Sequence, residues 1–231
     1  MRSLTIVIAT RHRQEKLEKT LNSIPIHDWI DLIIVCDGDV ETYQWLNGNK
    51  DRYNPMYTLL LPKHVGSVAA RNRVTPSIQD GFLWATDDII FKEGSIESAF
   101  KTFNKYFPDD DGVVGFVQEP GDFHPTGVGL MGLRFLMRYP GMKPFYPGFY
   151  HFACQEILYL ADGRFEQDPN AVVIHKHPDA HPEEKDITHV EARRYKAQDM
   201  ALIADRKNQN LVWGRDDEDP PSGHIEEPPS V

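Results

Sequence analysis

The run LTIVIAT, Leu4 to Thr10, is apolar and β-branched almost throughout, as a strand must be when both faces of its sheet are covered. It is followed by RQEKLEKTLNSI, in which Leu17, Leu21 and Ile24 share one helical stripe and charges take the rest. The alternation then repeats. IDLIIVCDGD (Ile30 to Asp39) is a second buried strand that stops at the turn signal Asp37-Gly38, and ETYQWLNG is a short helix. MYTLLLP (Met56 to Pro62) is a third strand, and SVAARNRVTPSIQDG a helix that Pro76 breaks or kinks. FLWATDD is a fourth strand, followed by the amphipathic helix GSIESAFKTFNKYF and the strand DGVVGFVQE. This order over the first 118 residues predicts an α/β fold with a doubly wound, mainly parallel sheet.

On such a sheet, ligands bind beyond the carboxyl ends of the strands. Three polar clusters fall there: Thr10-Arg11-His12, Asp37-Gly38-Asp39 and Asp87-Asp88. The last is the most demanding, because adjacent carboxylates at the mouth of a core repel each other and lose hydration. They need a cation, a basic partner or a turn role. Neither GxGxxG nor GxxxxGK[ST] occurs, which disfavours a dinucleotide site or a Walker-type ATPase. A chain handling phosphates at this edge would use a metal and basic side chains.

The 231 residues, 40% of them hydrophobic, suffice for one substantial domain. A formal charge of -10 argues against a sequence-independent grip on nucleic acid. Much of the acidity lies in RDDEDPPSGHIEEPPSV, which has no apolar periodicity and reads as a mobile, solvated tail. Cys36 and Cys154 have no metal-type spacing and read as reduced thiols. The first apolar run is strand-length and meets Arg-His-Arg, unlike a signal peptide, and no run approaches the roughly 20 apolar residues of a membrane span. A cytoplasmic protein is expected.

TIVIATRHR, IIVCDGD and VGSVAARNRVTPSIQDGFLWATDDIIF together resemble the nucleotide-sugar-dependent glycosyltransferases of the GT-A fold, especially the large family 2 group. The third segment is similar to that family's GxxxARNxGxxxAxGxxxxxLDxDD block, with Gly66, Arg71, Asn72, Gly81, Asp87 and Asp88 at matching positions. Residues 4 to 92 carry the resemblance well and the second half only loosely. Two departures stand out: Ala85 occupies the place of the first acid of the DxD, and ARNRV lacks the glycine after Arg-Asn.

The resemblance implies one GT-A-like domain over residues 1–213, with a nucleotide-sugar-binding half (1–118), an acceptor-side half (119–213) and the acidic tail at 214–231. It implies metal-dependent transfer from a nucleotide-diphosphate sugar to an acceptor hydroxyl, with inversion. Asp87 is the first-choice ligand for Mn²⁺ or Mg²⁺ and Asp88 the second; a capped turn is the plain alternative. Asp37 is expected to accept from base or ribose, or simply to make the turn. Thr10 and Arg11 would frame the base, a solvated Arg being the alternative, and Arg71 would meet the diphosphate or pair with an aspartate, with an exposed helix arginine as the plain reading.

In the second half, Glu156 on the apolar helix ACQEILYLA is the expected general base, with Asp122 and Asp162 behind it. VVIHKHP is a strand that sets His175 and His177 on one face, where a late imidazole could reach the metal, His177 first; two structural histidines are the bland version. DITHVEARRYKAQDMALIADRKNQNLVW is a closing helix, expected under the sheet. The acceptor stays open among glycan, small molecule, protein and modified nucleic acid. Two rival readings are a non-catalytic nucleotide-sugar or carbohydrate-binding protein on the same fold, and a sugar-1-phosphate nucleotidyltransferase.

Overall fold

The computed structural model describes residues 1–121, 124–151, 154–176 and 181–215. Its eight strands form one mixed sheet in the order β3-β2-β1-β4-β7-β6-β8-β5. The strands are β1 (Leu4–Thr10), β2 (Ile30–Asp37), β3 (Met56–Leu61), β4 (Gly81–Thr86), β5 (Ile89–Phe91), β6 (Val113–Glu119), β7 (Gly129–Met131) and β8 (Phe165–His175). The β3-β2-β1-β4 half is parallel throughout, as the near-continuous apolar runs predict. β7 runs antiparallel between β4 and β6, and β8 pairs parallel with β6 and antiparallel with β5.

Successive residues of the central strands point to opposite faces, and both faces are filled. Ile6, Ile8, Leu32, Ile34 and Leu83 pack with Leu17 and Leu21 of α1 (Gln14–Asn22), Leu46 of α2 (Val40–Asn49), and Ile96, Ala99 and Phe103 of α4 (Ser95–Tyr106). Val7, Val35, Phe82 and Trp84 pack on the other side with Val68 and Ala70 of α3 (Ser67–Asn72), Phe135 of α5 (Leu133–Leu136) and Ile157 of α6 (Gln155–Leu160). Ala85, standing where an acid was looked for, is fully buried on the first of these faces. A carboxylate there would have to lose its hydration in an apolar layer.

The turn at Asp87-Asp88 shapes the whole sheet. It joins β4 to β5, four places away in the strand order. Four strand spacings in a flat sheet amount to about 19 Å, whereas two linking residues let the strand ends lie no more than about 11 Å apart. The sheet must therefore curl, which brings β8 and its terminal His175 towards the end of β4. The predicted helix over 67–81 is shorter than its sequence suggests: α3 ends at Asn72 and a 3-10 turn takes Thr75–Ser77 around Pro76.

The later turns of the closing helix α7 (Ile187–Asn208) set Leu202 and Ile203 against the second core face, as expected of a helix under the sheet. The only fully buried residues of α7 are Asp199 and Arg206, and its first turns lie against the carboxyl edge of the sheet. No helix among the described residues is long and apolar enough to cross a membrane. Both cysteines are free thiols, and burial pushes the Cys36 thiol up to about 12.

Candidate active site

The loops leaving β1, β2, β3 and β4 meet at one edge and are tied to each other by carboxylates. Asp39 caps α2 by accepting from the Thr42 N–H (3.1 Å), and its other oxygen accepts from the His12 N–H in the neighbouring loop (2.7 Å). Asp37 accepts the backbone N–H groups of Val65 (2.8 Å) and Gly66 (2.9 Å) and pairs with the His64 ring (2.7 Å). Gly38 makes this approach possible: its φ is 71°, and a Cβ there would stand 2.7 Å from the His64 nitrogen. His64 in turn meets the Tyr150 hydroxyl through Nε2. Asp37 thus holds the loop after β3 in place, and both of its oxygens are already engaged by that loop.

Asp87 and Asp88 are met by an arginine that carried no motif. Arg13, at the start of α1, donates from Nη1 to Asp87 (2.9 Å) and to Asp88 (3.1 Å). Its other edge forms a bidentate pair with Asp186, the N-cap of α7, at 2.9 Å for both bonds, and Lys16 reaches the same carboxylate at 2.9 Å. Burial alone would lower the Arg13 pKa, but Asp87, Asp88 and Asp186 hold it well above the ordinary range. The second oxygen of Asp87 accepts from the Thr10 hydroxyl (2.8 Å). Desolvation outweighs Arg13 and raises the Asp87 pKa, whereas Asp88 is held well below the usual carboxylate range against desolvation by His175 and His189.

The metal fit can be read from His175. Gln118 donates its amide N–H to the His124 carbonyl, which turns its oxygen towards His175 Nδ1 at 3.1 Å. Nδ1 therefore donates to Gln118, and Nε2 faces an Asp88 oxygen at 3.5 Å. A cation between that nitrogen and the carboxylate, either a proton or a metal, would join them. Two ligands each about 2.0–2.2 Å from one cation lie roughly 3–3.5 Å apart; the carboxylate oxygen suits Mn²⁺ or Mg²⁺, and an imidazole beside it favours the transition metal Mn²⁺ of the two. Asp88 and His175 fit such an ion. Asp87, expected as first ligand, has both oxygens taken by Thr10 and Arg13, so the geometry favours Asp88 before it. Among the described residues no group of three or more His, Cys, Asp and Glu is arranged to hold a metal, and His177 lies outside the described residues.

These groups line one cavity of about 160 Å³, together with Arg11, Arg71, His64, Tyr150, His151 and, from α7, Thr188, His189 and Glu191. Arg71 is buried, and its guanidinium gives one hydrogen bond to the Ala85 carbonyl (3.1 Å) while Nε has no partner. It makes no ion pair among the described residues, and desolvation lowers its pKa. Arg11 pairs with Glu191 at 3.3 Å, again leaving a buried Nε without a partner.

Glu156 is elsewhere. Its carboxylate takes the Arg206 guanidinium on both oxygens, with the Trp213 N–H at 3.3 Å, and it lines a separate cleft that also contains Asp162. The general-base expectation for Glu156 does not fit this placement: a carboxylate locked into a buried ion pair outside the cavity cannot reach an acceptor within it. Asp122 lies outside the described residues. Sequence reading missed Arg13, His64, His151, Asp186, His189 and Glu191. Only Arg13 had a usable signal, since it follows the flagged Thr10-Arg11-His12 cluster directly.

No protein-family model and no curated protein sequence matches the chain. Solved structures do. TarS of S. aureus (residues 1–349) superposes with a TM-score of 0.61 at 12% identity, over 78% of this chain and 62% of that one. The TarS complex with UDP-GlcNAc gives 0.62 at 13% identity, over 80% and 62%. The mannosyltransferase PcManGT of Pyrobaculum calidifontis, in complex with GDP-Man and Mn²⁺, gives 0.58 at 14% identity, over 74% and 56%. The chain has the GT-A-like fold of these glycosyltransferases. It spans less than two thirds of the length of the structures it matches.

Proposed function

We propose that the chain is a glycosyltransferase that takes its sugar from a nucleotide-diphosphate donor bound at the carboxyl edge of the sheet and passes it to an acceptor hydroxyl. The observation that carries this reading is Arg71: a buried guanidinium at the cavity, without a carboxylate partner among the described residues and with an unsatisfied Nε. A buried cation of this kind is costly unless an anion completes it, and a diphosphate supplies one. The fold adds support, because the structures it resembles include complexes with UDP-GlcNAc and with GDP-Man and Mn²⁺.

In this reading Arg71 and Arg11 take the phosphates, and Asp37 acts through the loop it holds, setting His64 and Tyr150 as a wall for the nucleoside. Asp88 and His175 would hold a divalent cation, with Asp87 fixing Arg13 beside them; such an ion, when bound, would supply Lewis-acid neutralisation of the leaving diphosphate, an effect worth several kcal/mol. The carboxylates of the cavity, Asp37, Asp87, Asp88 and Glu191, all carry cationic or N–H partners, so none is free to attack the sugar. We therefore read a single displacement with inversion.

The test is release of nucleoside diphosphate from a panel of nucleotide sugars that includes UDP-GlcNAc and GDP-Man, with Mn²⁺ or with chelator. One donor class should be turned over, with activity falling on chelation and in Asp88→Ala and His175→Ala. Saturable donor binding without turnover would leave a binding protein; no binding of any nucleotide sugar would overturn the reading.

A further inference from the structure

Seven buried side-chain polar atoms lack a hydrogen-bond partner among the described residues, and three of them belong to residues that line the cavity: Arg71 Nε, Arg11 Nε and Thr86 Oγ1. Folded chains pair nearly all their buried polar groups, so such a cluster marks a place where a ligand supplies the partners. Two of the three are guanidinium nitrogens, which suit the diphosphate. The third is a neutral hydroxyl. It brings no charge to a phosphate, but it can both give and accept a hydrogen bond, as sugar hydroxyls do. We infer that Thr86 binds the sugar of the donor and helps to select it, an inference that rests on the glycosyltransferase reading.

Thr86 is the last residue of β4, and the register pairs it with Ala9 of β1. Two residues after Trp84, it stands on the same face of the sheet as that ring, the face that α3 covers. There the Arg71 guanidinium donates to the Ala85 carbonyl at 3.1 Å, one residue before it. Asp87, one residue after it, is engaged by the Thr10 hydroxyl and Arg13, so Thr86 stands outside that network. In the strand order β3-β2-β1-β4, Asp37 and His64 wall the nucleoside beside β2, while the cation site lies at the turn after β4. A donor laid from one to the other brings its sugar to the end of β4, where Thr86 is. The residue is half-buried and lines the cavity although its hydroxyl oxygen is covered. One step of χ1 between staggered rotamers presents that oxygen to a sugar.

The experiment titrates the full chain calorimetrically, with Mn²⁺ present, against UDP, UDP-GlcNAc, GDP and GDP-Man, and follows the nucleotide and nucleotide sugar that bind. Thr86→Val replaces the hydroxyl by a methyl of nearly the same shape, and Thr86→Ser keeps a hydroxyl. In Thr86→Val, affinity for the nucleotide sugar should fall about three- to tenfold, the scale of one neutral hydrogen bond, while affinity for the bare nucleotide should not change. Thr86→Ser should keep the wild-type difference between the two. Without ligand, Thr86→Val should melt no lower than wild type, because its hydroxyl has no partner to lose in the free protein. Unchanged nucleotide-sugar affinity in Thr86→Val would overturn the assignment, as would an equal loss for the bare nucleotide. A Tm lowered in Thr86→Val and restored in Thr86→Ser would mean a bond within the chain and would overturn it too. Failure of the wild type to bind any of the four ligands would instead remove the underlying reading, and the assignment with it.

Discussion

The β3-β2-β1-β4 half of the sheet and the helix α7 meet at the same cavity but are fastened in different proportions by apolar packing and by charge. The strands are held by apolar side chains on both faces, Ile8 and Leu83 on one and Val7 and Trp84 on the other. α7 buries fully only Asp199 and Arg206; Leu202 and Ile203 pack on the second core face and Tyr195 stacks on Tyr150, but most of its ties to the body are charged: Asp186 to Arg13 and Lys16, Glu191 to Arg11, Asp199 to the Tyr150–His151 backbone, and Arg206 to Glu156. The first kind of fastening makes a rigid edge on which site residues are placed. The second makes a cover that water and ligand charge can compete for. The cavity of about 160 Å³ is also smaller than the roughly 300–1,000 Å³ usual for ligand sites. On the proposed function, α7 must therefore yield when a donor enters.

Trp84→Ala should cost about 3–5 kcal/mol in denaturant unfolding, since it empties a fully buried site and orphans the Thr126 carbonyl it bonds. Arg206→Met should cost a similar amount, about 3–5 kcal/mol, because it strands the Glu156 carboxylate in the interior. The two should differ in kind: Glu156→Gln should lower stability while leaving turnover per folded molecule near wild type. A hundredfold loss of turnover in folded Glu156→Gln would restore that residue to the chemistry.

Asp186→Asn comes next. It weakens charge-assisted bonds to Arg13 and Lys16, for which a loss of about 1.5–3 kcal/mol is expected. Hydrogen exchange should quicken in the first turns of α7 and stay slow in β1 and β4; uniform quickening would mean that helix and sheet open together. The dependence on pH has a definite sign. Burial alone would raise the Asp186 pKa, but His189, Arg13 and Thr188 hold it far below its ordinary value. Its contribution is thus present above the unfolded carboxylate pKa of about 3.9 and is lost only as the pH falls below it. Arg11→Gln should be the mildest change to the fold, about 0–1 kcal/mol, since its pair with Glu191 is partly solvated.

This division also explains how far the sequence could be read. β1 and β2 end where their apolar runs end, and the Asp37-Gly38 and Asp87-Asp88 turns stand at the strand edge, because burial on two faces leaves a continuous apolar trace. Thr10, Arg11, Asp37, Arg71, Asp87, Asp88 and His175 all line one cavity. The sequence does not disclose which partner each side chain takes. Asp37 turns to its own chain at residues 64–66, and Asp87 to Arg13, through contacts made only once the loops converge. Glu156 stands on an apolar helix beside Ile157 and Leu158, but Arg206, fifty residues away, decides its role. α7 carries no apolar stripe, so neither the place of its first turns nor that of Asp186 and His189 left a pattern to read.

The central claim is that the unpaired charge of Arg71 awaits a diphosphate. Calorimetric titration of UDP and of GDP, with Mn²⁺ present, into the wild-type protein and into Arg71→Met tests it most directly, with thermal melting to confirm that the variant folds. Saturable binding of at least one of the two nucleotides is expected, weakened about tenfold or more in the folded variant, as loss of a charge-assisted hydrogen bond worth about 1.5–3 kcal/mol requires. Equal affinity in wild type and folded Arg71→Met, or no saturable binding of either nucleotide by the wild type, would contradict it.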